Sequence, residues 1–90
     1  MQKLFTFDII AADGKKARFK TSYIQLRCRS GWRGIMRNNG PLFALLAEDT
    51  MLYMDEQGVK NNIDIEGGIL KIKDGRPTIL THSFALPDPL

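Results

Sequence analysis

Hydrophobic and polar residues alternate along most of the chain with a period of two. Over residues 4–11, Phe5, Phe7, Ile9 and Ala11 fall on one side and Thr6 and Asp8 on the other. That is the pattern of a half-buried strand, and Asp13-Gly14 ends it as a turn. Lys16-Ala17-Arg18-Phe19-Lys20 repeats the alternation with Ala17 and Phe19 inward, which predicts a hairpin. Ile24, Leu26 and Cys28 then face inward between Gln25, Arg27 and Arg29, so the phase changes from odd to even near Thr21-Ser22. A bulge or tight bend is expected there.

The second half carries the same signal. Residues 50–54 read as a strand, Asp55-Glu56-Gln57-Gly58 as a hairpin turn, and 62–66 as another alternating segment. Gly67-Gly68 interrupts the pattern and marks a bulge or a close crossing of strands. Residues 69–73 continue it, Asp74-Gly75 turns the chain, and 77–82 form a last strand, with Pro77 acceptable at its start or on an edge. Residues 41–49 are ambiguous. Pro41 at a first helical position followed by good helix formers predicts a helix, yet the segment is short enough for a buried strand.

Short strands with turn signals every eight to twelve residues predict an all-β fold, a β-sandwich or flattened barrel. Its expected core is Phe5, Phe7, Phe19, Ile24, Leu26 and Ile35 with Leu45, Ile63, Ile65, Leu70, Ile72 and Leu80. Residues 1–90 form one domain, in which 83–90 run out as an extended tail containing Pro87 and Pro89. No apolar run reaches the 18 residues of a membrane span, and no signal-peptide pattern follows Met1. The lone Cys28 permits no internal disulfide, and on the inward phase it reads as a small buried thiol.

One stretch stands apart, Gly31-Trp32-Arg33-Gly34-Ile35-Met36-Arg37-Asn38-Asn39-Gly40-Pro41-Leu42. Two glycines three apart, an Asn-Asn-Gly-Pro turn signal and the single Trp predict a loop over 31–39 held in shape by its own backbone. Trp32 is either a contact anchor or a lid folded over the edge of the core. Charge gathers around the same region. Residues 14–47 contain no carboxylate, while Lys15, Lys16, Arg18, Lys20, Arg27, Arg29, Arg33 and Arg37 all lie there, in a chain whose net charge is +3. Either that part of the molecule attracts an acidic partner or an anionic membrane surface, or alternating strands display their solvated faces.

Chemistry is hard to place. His82 is the only histidine, and Ser83 beside it points to the opposite face of a strand. One Cys and one His cannot complete a zinc site. The aspartates sit at turns or on polar faces, and neither glycine pair is followed by the Lys-Ser/Thr of a phosphate loop. No catalytic residue, cofactor or metal ligand is assigned, so the chain is expected to bind rather than to catalyse. A hydrolase or redox protein would have to rest on His82 or Cys28, and nothing else supports either.

Several motifs in order carry a resemblance to a family. Phe7-Asp8-Ile9-Ile10 with Asp13-Gly14, Gly31-x-x-Gly34-Ile35-Met36, Asn39-Gly40-Pro41-Leu42, Gly67-Gly68-Ile69-Leu70-Lys71-Ile72 and Thr78-Ile79-Leu80-Thr81 follow one another in register. The chain resembles the N-terminal β-sandwich domain of the epsilon subunit of F-type ATP synthases over residues 5–90. The resemblance implies a flattened sandwich of about ten short strands, with 41–46 a strand after all. It implies a non-catalytic subunit of the central stalk, peripheral to the cytoplasmic side of the inner (plasma) membrane, that couples a gamma subunit to the membrane rotor ring (the c-ring). Gly31, Trp32, Arg33, Gly34, Arg37, Asn38 and Asn39 would face the ring, and Ala11, Leu42, Phe43 and Ala44 the gamma subunit. No small-molecule ligand or nucleic acid enters that reading.

Three departures from the family pattern bear on this. An acidic residue common within the Gly-x-x-Gly stretch is replaced by Trp32 and Arg33, and the usual His-Ala before Pro-Leu is Asn39-Gly40. Charge at the ring-facing end is thereby reversed, so the ring's loops should carry extra carboxylates. Many members also continue into a C-terminal helical pair that inhibits hydrolysis and in some binds ATP; with the chain stopping at Leu90, that regulation is expected to be absent. The rival reading is a small basic β-barrel that binds nucleic acid, with Tyr23, Trp32 and Arg37 as its stacking and phosphate contacts.

Overall fold

β-strands account for every regular element among residues 3–86, the part of the chain that the computed structural model describes. They are β1 (Phe5–Ala11), β2 (Lys16–Thr21), β3 (Tyr23–Cys28), β4 (Gly31–Ile35), β5 (Leu42–Met54), β6 (Lys60–Lys73), β7 (Arg76–Thr81) and β8 (Phe84–Ala85). The count is eight rather than about ten because β5 and β6, at 13 and 14 residues, each run through both halves of the molecule. Hydrogen bonding links the strands in the order β2-β1-β7-β6-β5-β3-β4, with β8 on β6. Every pairing is antiparallel except β1 with β7.

The β5–β6 ribbon is what makes two layers from one continuous sheet. Its register is unbroken from Leu42↔Ile72 to Met54↔Lys60, yet the buried phase reverses along both strands. Ile63 and Ile65 are buried before Gly67-Gly68 in β6, Leu70 and Ile72 after it; in β5, Leu46 gives way to Met51. Gly67 (φ 67°) and Gly68 (φ 120°) occupy the reversal in conformations that residues with a Cβ avoid. With the register intact, the glycine pair is a close crossing and not a bulge: a Cβ on Gly68 would collide with the carbonyl oxygen of Leu80. One half of the ribbon lies with β7, β1 and β2; the other lies with β3, β4 and β8.

The core fills the space between those halves. Phe7 of β1 stacks on Phe19 of β2 at 5.1 Å, and Tyr53 of β5 closes on both rings at 5.5 and 4.9 Å. Ile9, Ile24, Leu26, Ile35, Met51 and Ile79 are fully buried around them. The molecule measures 35 × 35 × 24 Å, and the short axis holds two sheets about 10 Å apart plus their outer side chains. This is the flattened sandwich expected.

Several sequence expectations need correction. Residues 42–54 form the strand that the resemblance implies for 41–46, not the helix that local propensity favours, because pairing with β6 on one side and β3 on the other overrides a weak local preference. Leu45 and Leu80 lie outside the core, 50% and 42% exposed; Leu46 and Ile79 beside them point inward instead. Residues 31–35 are edge strand β4, paired from Ile24↔Ile35 to Cys28↔Gly31, so the loop shrinks to 36–41. The phase change near Thr21-Ser22 is the bend at which the chain leaves β1's neighbour and enters β3 in the other layer. There the buried Thr21 hydroxyl donates to the Met54 carbonyl at 2.6 Å and accepts from the Tyr23 N–H at 3.1 Å. Phe84–Ala85, within the stretch read as a tail, pair with Asp64 and Ile65, and Phe84 is buried; residues 87–90 lie outside the described part.

Candidate interaction surfaces

Two outward-facing regions hold the residues singled out above, and each is built from the register upward. The first is the β3–β4 hairpin. Arg29 and Ser30 form its two-residue turn, and the Arg29 N–H donates to the Leu45 carbonyl at 2.9 Å, tying the turn to β5. Trp32 stands opposite Arg27 and Gly34 opposite Gln25. These are outward positions, since Ile24, Leu26 and Cys28 between them are buried. Trp32 is 58% exposed, so it is no lid over the core. Tyr23 lays its ring over Gly34; a Cβ there would fall 2.7 Å from the Tyr23 hydroxyl and 2.9 Å from its ring.

From Ile35 the chain runs into a turn closed by the Asn39 N–H donating to the Met36 carbonyl at 3.2 Å, with Asn38 at φ 68°. Asn tolerates that left-handed position, which explains its place at the third residue of the turn. Met36, Arg37 and Asn38 are exposed and Asn39 is half-buried. Arg27 meets Asp49 at 3.4 Å, while Arg29, Arg33 and Arg37 have no ion-pair partner among the described residues. Of the expected ring-facing set, Gly31, Trp32, Arg33 and Gly34 thus share an edge strand, and Arg37, Asn38 and Asn39 share the turn that follows.

The expected gamma-facing set divides by side-chain direction. Ala11 is 4% exposed, and Leu42 and Ala44 are half-buried against the core. Phe43 between them points outward and is 65% exposed. Its neighbours on that face were not singled out from the sequence. Register places Ile10, Leu80, Ile69 and Leu45 side by side across β1, β7, β6 and β5, on the outer surface. A signal for them exists in the sequence: Ile9-Ile10, Leu45-Leu46, Ile69-Leu70 and Ile79-Leu80 are apolar doublets inside alternating strands. Each doublet must send one member to each face.

Electrostatics add one local feature. Asp8, on the same outer face, accepts from Arg18 Nε at 2.8 Å and Arg76 at 3.3 Å. The Arg18 hydrogen bond, against a partial cost of burial, holds its carboxyl below the ordinary 3.8. In the β5–β6 turn, Asp55 accepts from the Val59 and Gln57 amides at 2.9 Å and from Asn61 at 3.0 Å. The Val59 bond first, then Asn61, lowers its pKa also. Cys28 is buried, His82 is exposed, and no grouping of metal-ligating side chains occurs among the described residues. Among the described residues no helix is long and apolar enough to cross a membrane.

Comparison with known proteins agrees with this architecture. The ATP synthase epsilon chain of Mycobacterium leprae (strain Br4923) is 30% identical over 77 residues, 84% of this chain and 64% of that one. The epsilon chain of Mycobacterium marinum is 31% identical over the same shares. The chain therefore spans just under two thirds of the length of these relatives. In fold it is similar to a chain of the mitochondrial ATP synthase of Euglena gracilis solved as OSCP/F1/c-ring (TM-score 0.81, 20% identity, 89% of this chain and 51% of that one). It is also similar to a chain of the Tetrahymena thermophila mitochondrial ATP synthase central stalk and c-ring (TM-score 0.73, 12% identity, 93% and 67%). The profile of the ATP synthase Delta/Epsilon chain β-sandwich domain matches residues 4–87, and the chain belongs to that family.

Proposed function

We propose that the chain is a non-catalytic central-stalk subunit of a rotary ATP synthase, coupling a gamma-type subunit to the membrane rotor ring. The observation that carries this reading is family membership across residues 4–87. The hairpin supports it. A part that passes torque must not stretch, and β4 is held by five registered positions on β3, not left as a free loop. Trp32 and the exposed arginines give that edge the residue types that dominate interface energetics. In this reading residues 31–39 face the ring, Phe43 and its outer-face neighbours meet the gamma-type subunit, and Ala11, Leu42 and Ala44 support that contact from beneath. The subunit sits peripherally on the cytoplasmic side of the inner membrane and supplies no reactive group; nucleotide chemistry occurs elsewhere in the complex.

Tagged chain recovered from its own membranes should bring down a gamma-type subunit together with ring subunits. Trp32→Ala and Arg33→Glu should each lose ring subunits while keeping gamma. Their folding stability should stay within about 0.5 kcal/mol of the parent, as for exposed positions generally. Normal assembly and coupling in both variants removes the hairpin from the ring contact. Failure to recover any gamma-type subunit removes the stalk reading itself.

A further inference from the structure

The β1–β2 turn does more than reverse the chain. Its backbone is closed by the Ala11 N–H donating to the Lys15 carbonyl at 2.8 Å and the Gly14 N–H donating to the Ala11 carbonyl at 3.0 Å. The Asp13 carboxylate accepts from the Lys15 N–H at 2.9 Å, the local bond that favours Asp in turns. Both backbone polar groups of Lys15 are thereby fixed, and its side chain is aimed at β8 in the other layer. Nζ lies 4.6 Å from the centroid of the Phe84 ring and donates to the Phe84 carbonyl at 3.3 Å. A cation over an aromatic face is attracted to it. One ammonium group thus holds both the ring and the backbone of a single residue.

What Lys15 holds is otherwise lightly attached. β8 is two residues long and meets β6 at two registered positions, Asp64↔Ala85 and Ile65↔Phe84. β6 meets β7 at five and β5 at twelve. One more bond, from the Glu66 N–H to the Ser83 carbonyl at 3.1 Å, stands just before the strand. The chain upstream is pinned separately, since the Ala12 N–H lies 3.1 Å from the Thr81 carbonyl and 3.3 Å from that of His82. Ser83 is therefore a joint. Before it the chain is tied to the β1–β2 turn through backbone; after it, through the Lys15 side chain alone. Phe84 is 6% exposed, and burial of its ring is the main force that keeps β8 closed. Elements with few backbone bonds open before the rest of a domain does.

We infer that β8 is a strap that opens at Ser83 while the rest of the sandwich stays folded, and that Lys15 is the clasp that sets how often it opens. Opening bares the β6 edge at Asp64 and Ile65 together with the space that Phe84 fills. Such an edge is a template for pairing with another extended chain, so the strap governs when that edge is available. This device stands independently of the stalk reading. Two measurements on the full chain test it. In native-state exchange at rising urea, the Glu66 amide should open more often than the amides of residues 69–73 and with a smaller urea dependence, because a strap uncovers less surface than global unfolding. Chymotrypsin should cut after Phe84 before it cuts after the core residues Phe7, Phe19 or Tyr53. Lys15→Met keeps the stem and removes cation and donor, and should speed the cut after Phe84 about tenfold. Lys15→Arg keeps both, and should stay within about threefold of the parent. Urea midpoints establish that both variants are folded.

Exchange at Glu66 that matches residues 69–73 in rate and urea dependence means that β8 opens only with the whole domain, and overturns the strap. Cutting after Phe84 only together with cuts in the core does the same. A strap that opens alone but no faster in Lys15→Met than in the parent overturns the clasp. The clasp also falls if Lys15→Arg is cut as fast as Lys15→Met, since the cation would then not be what holds Phe84.

Discussion

Two glycine-marked stretches, Gly67-Gly68 in β6 and Gly31-x-x-Gly34 in β4, look alike in the sequence and serve opposite ends of the molecule's economy. Gly68 lies where β6 passes against β7, with the Leu80 backbone occupying the space a side chain would need. Its φ of 120° lies outside what other residues tolerate. Gly34 lies on an edge strand, and what occupies its side-chain space is the tip of Tyr23. Backbone cannot yield without moving two strands; the half-buried ring of Tyr23 beside an edge strand can rotate. The first glycine is a condition of the fold, the second a condition of the surface.

The largest effect should follow from filling the first space. Gly68→Ala combines a forbidden conformation, about 1–3 kcal/mol, with a collision against the Leu80 carbonyl, so a loss of at least about 3 kcal/mol is expected. Against the roughly 5–15 kcal/mol that holds a domain folded, that loss should show plainly in a urea transition. An unchanged midpoint would mean that β6 and β7 do not approach as described. Gly34→Ala should cost about 1 kcal/mol, the order of one side chain displaced from its rotamer. If the two substitutions destabilise equally, the contrast between body and edge is wrong. Near-UV circular dichroism should separate them further, since Gly34→Ala moves Tyr23 and Gly68→Ala moves no aromatic ring directly.

Much of this was legible in the sequence because period-two alternation reports burial wherever one face is dry. Ile63, Ile65, Leu70 and Ile72 were assigned inward with the correct phase on each side of the glycine pair. Alternation fails where both faces are apolar. Leu45-Leu46 and Ile79-Leu80 give no phase of their own, and in both the residue that alternation places in the core is the outward one. Phe84 was missed because a two-residue strand has no period, and its burial comes from pairing with Asp64 and Ile65 far back in the chain. Residues 31–35 read as loop for a related reason. All positions of β4 except Ile35 are exposed, and an edge strand exposed on both faces has no hydrophobic signal. Leu45 and Leu80, the outward members of these doublets, lie in one row across β5, β6 and β7 on the outer face.

The smallest effect sharpens the contrast through pH. Asp8 is held below 3.8 chiefly by its hydrogen bond to Arg18. A carboxylate with a depressed folded pKa adds stability that is present above its unfolded value and is lost as pH falls through the folded one. Stability should therefore decline as pH drops below about 4. Asp8→Asn should cost no more than about 1 kcal/mol at neutral pH, because Arg18 and Arg76 are largely exposed and such pairs are weak. Below the folded pKa the variant and parent should converge. Asp55 is shifted in the same direction by the Val59 amide, so part of the acid decline should persist in the variant. β4 carries no carboxylate. On acidification, amide exchange, corrected for its intrinsic pH dependence, should quicken at the pairings of β1 with β2 and β7 before it does so at Trp32 and Arg33. The reverse order would show that the hairpin, and not the Asp8 face, is where the sandwich first loosens, and the division between a fixed body and a contact edge would have to be redrawn.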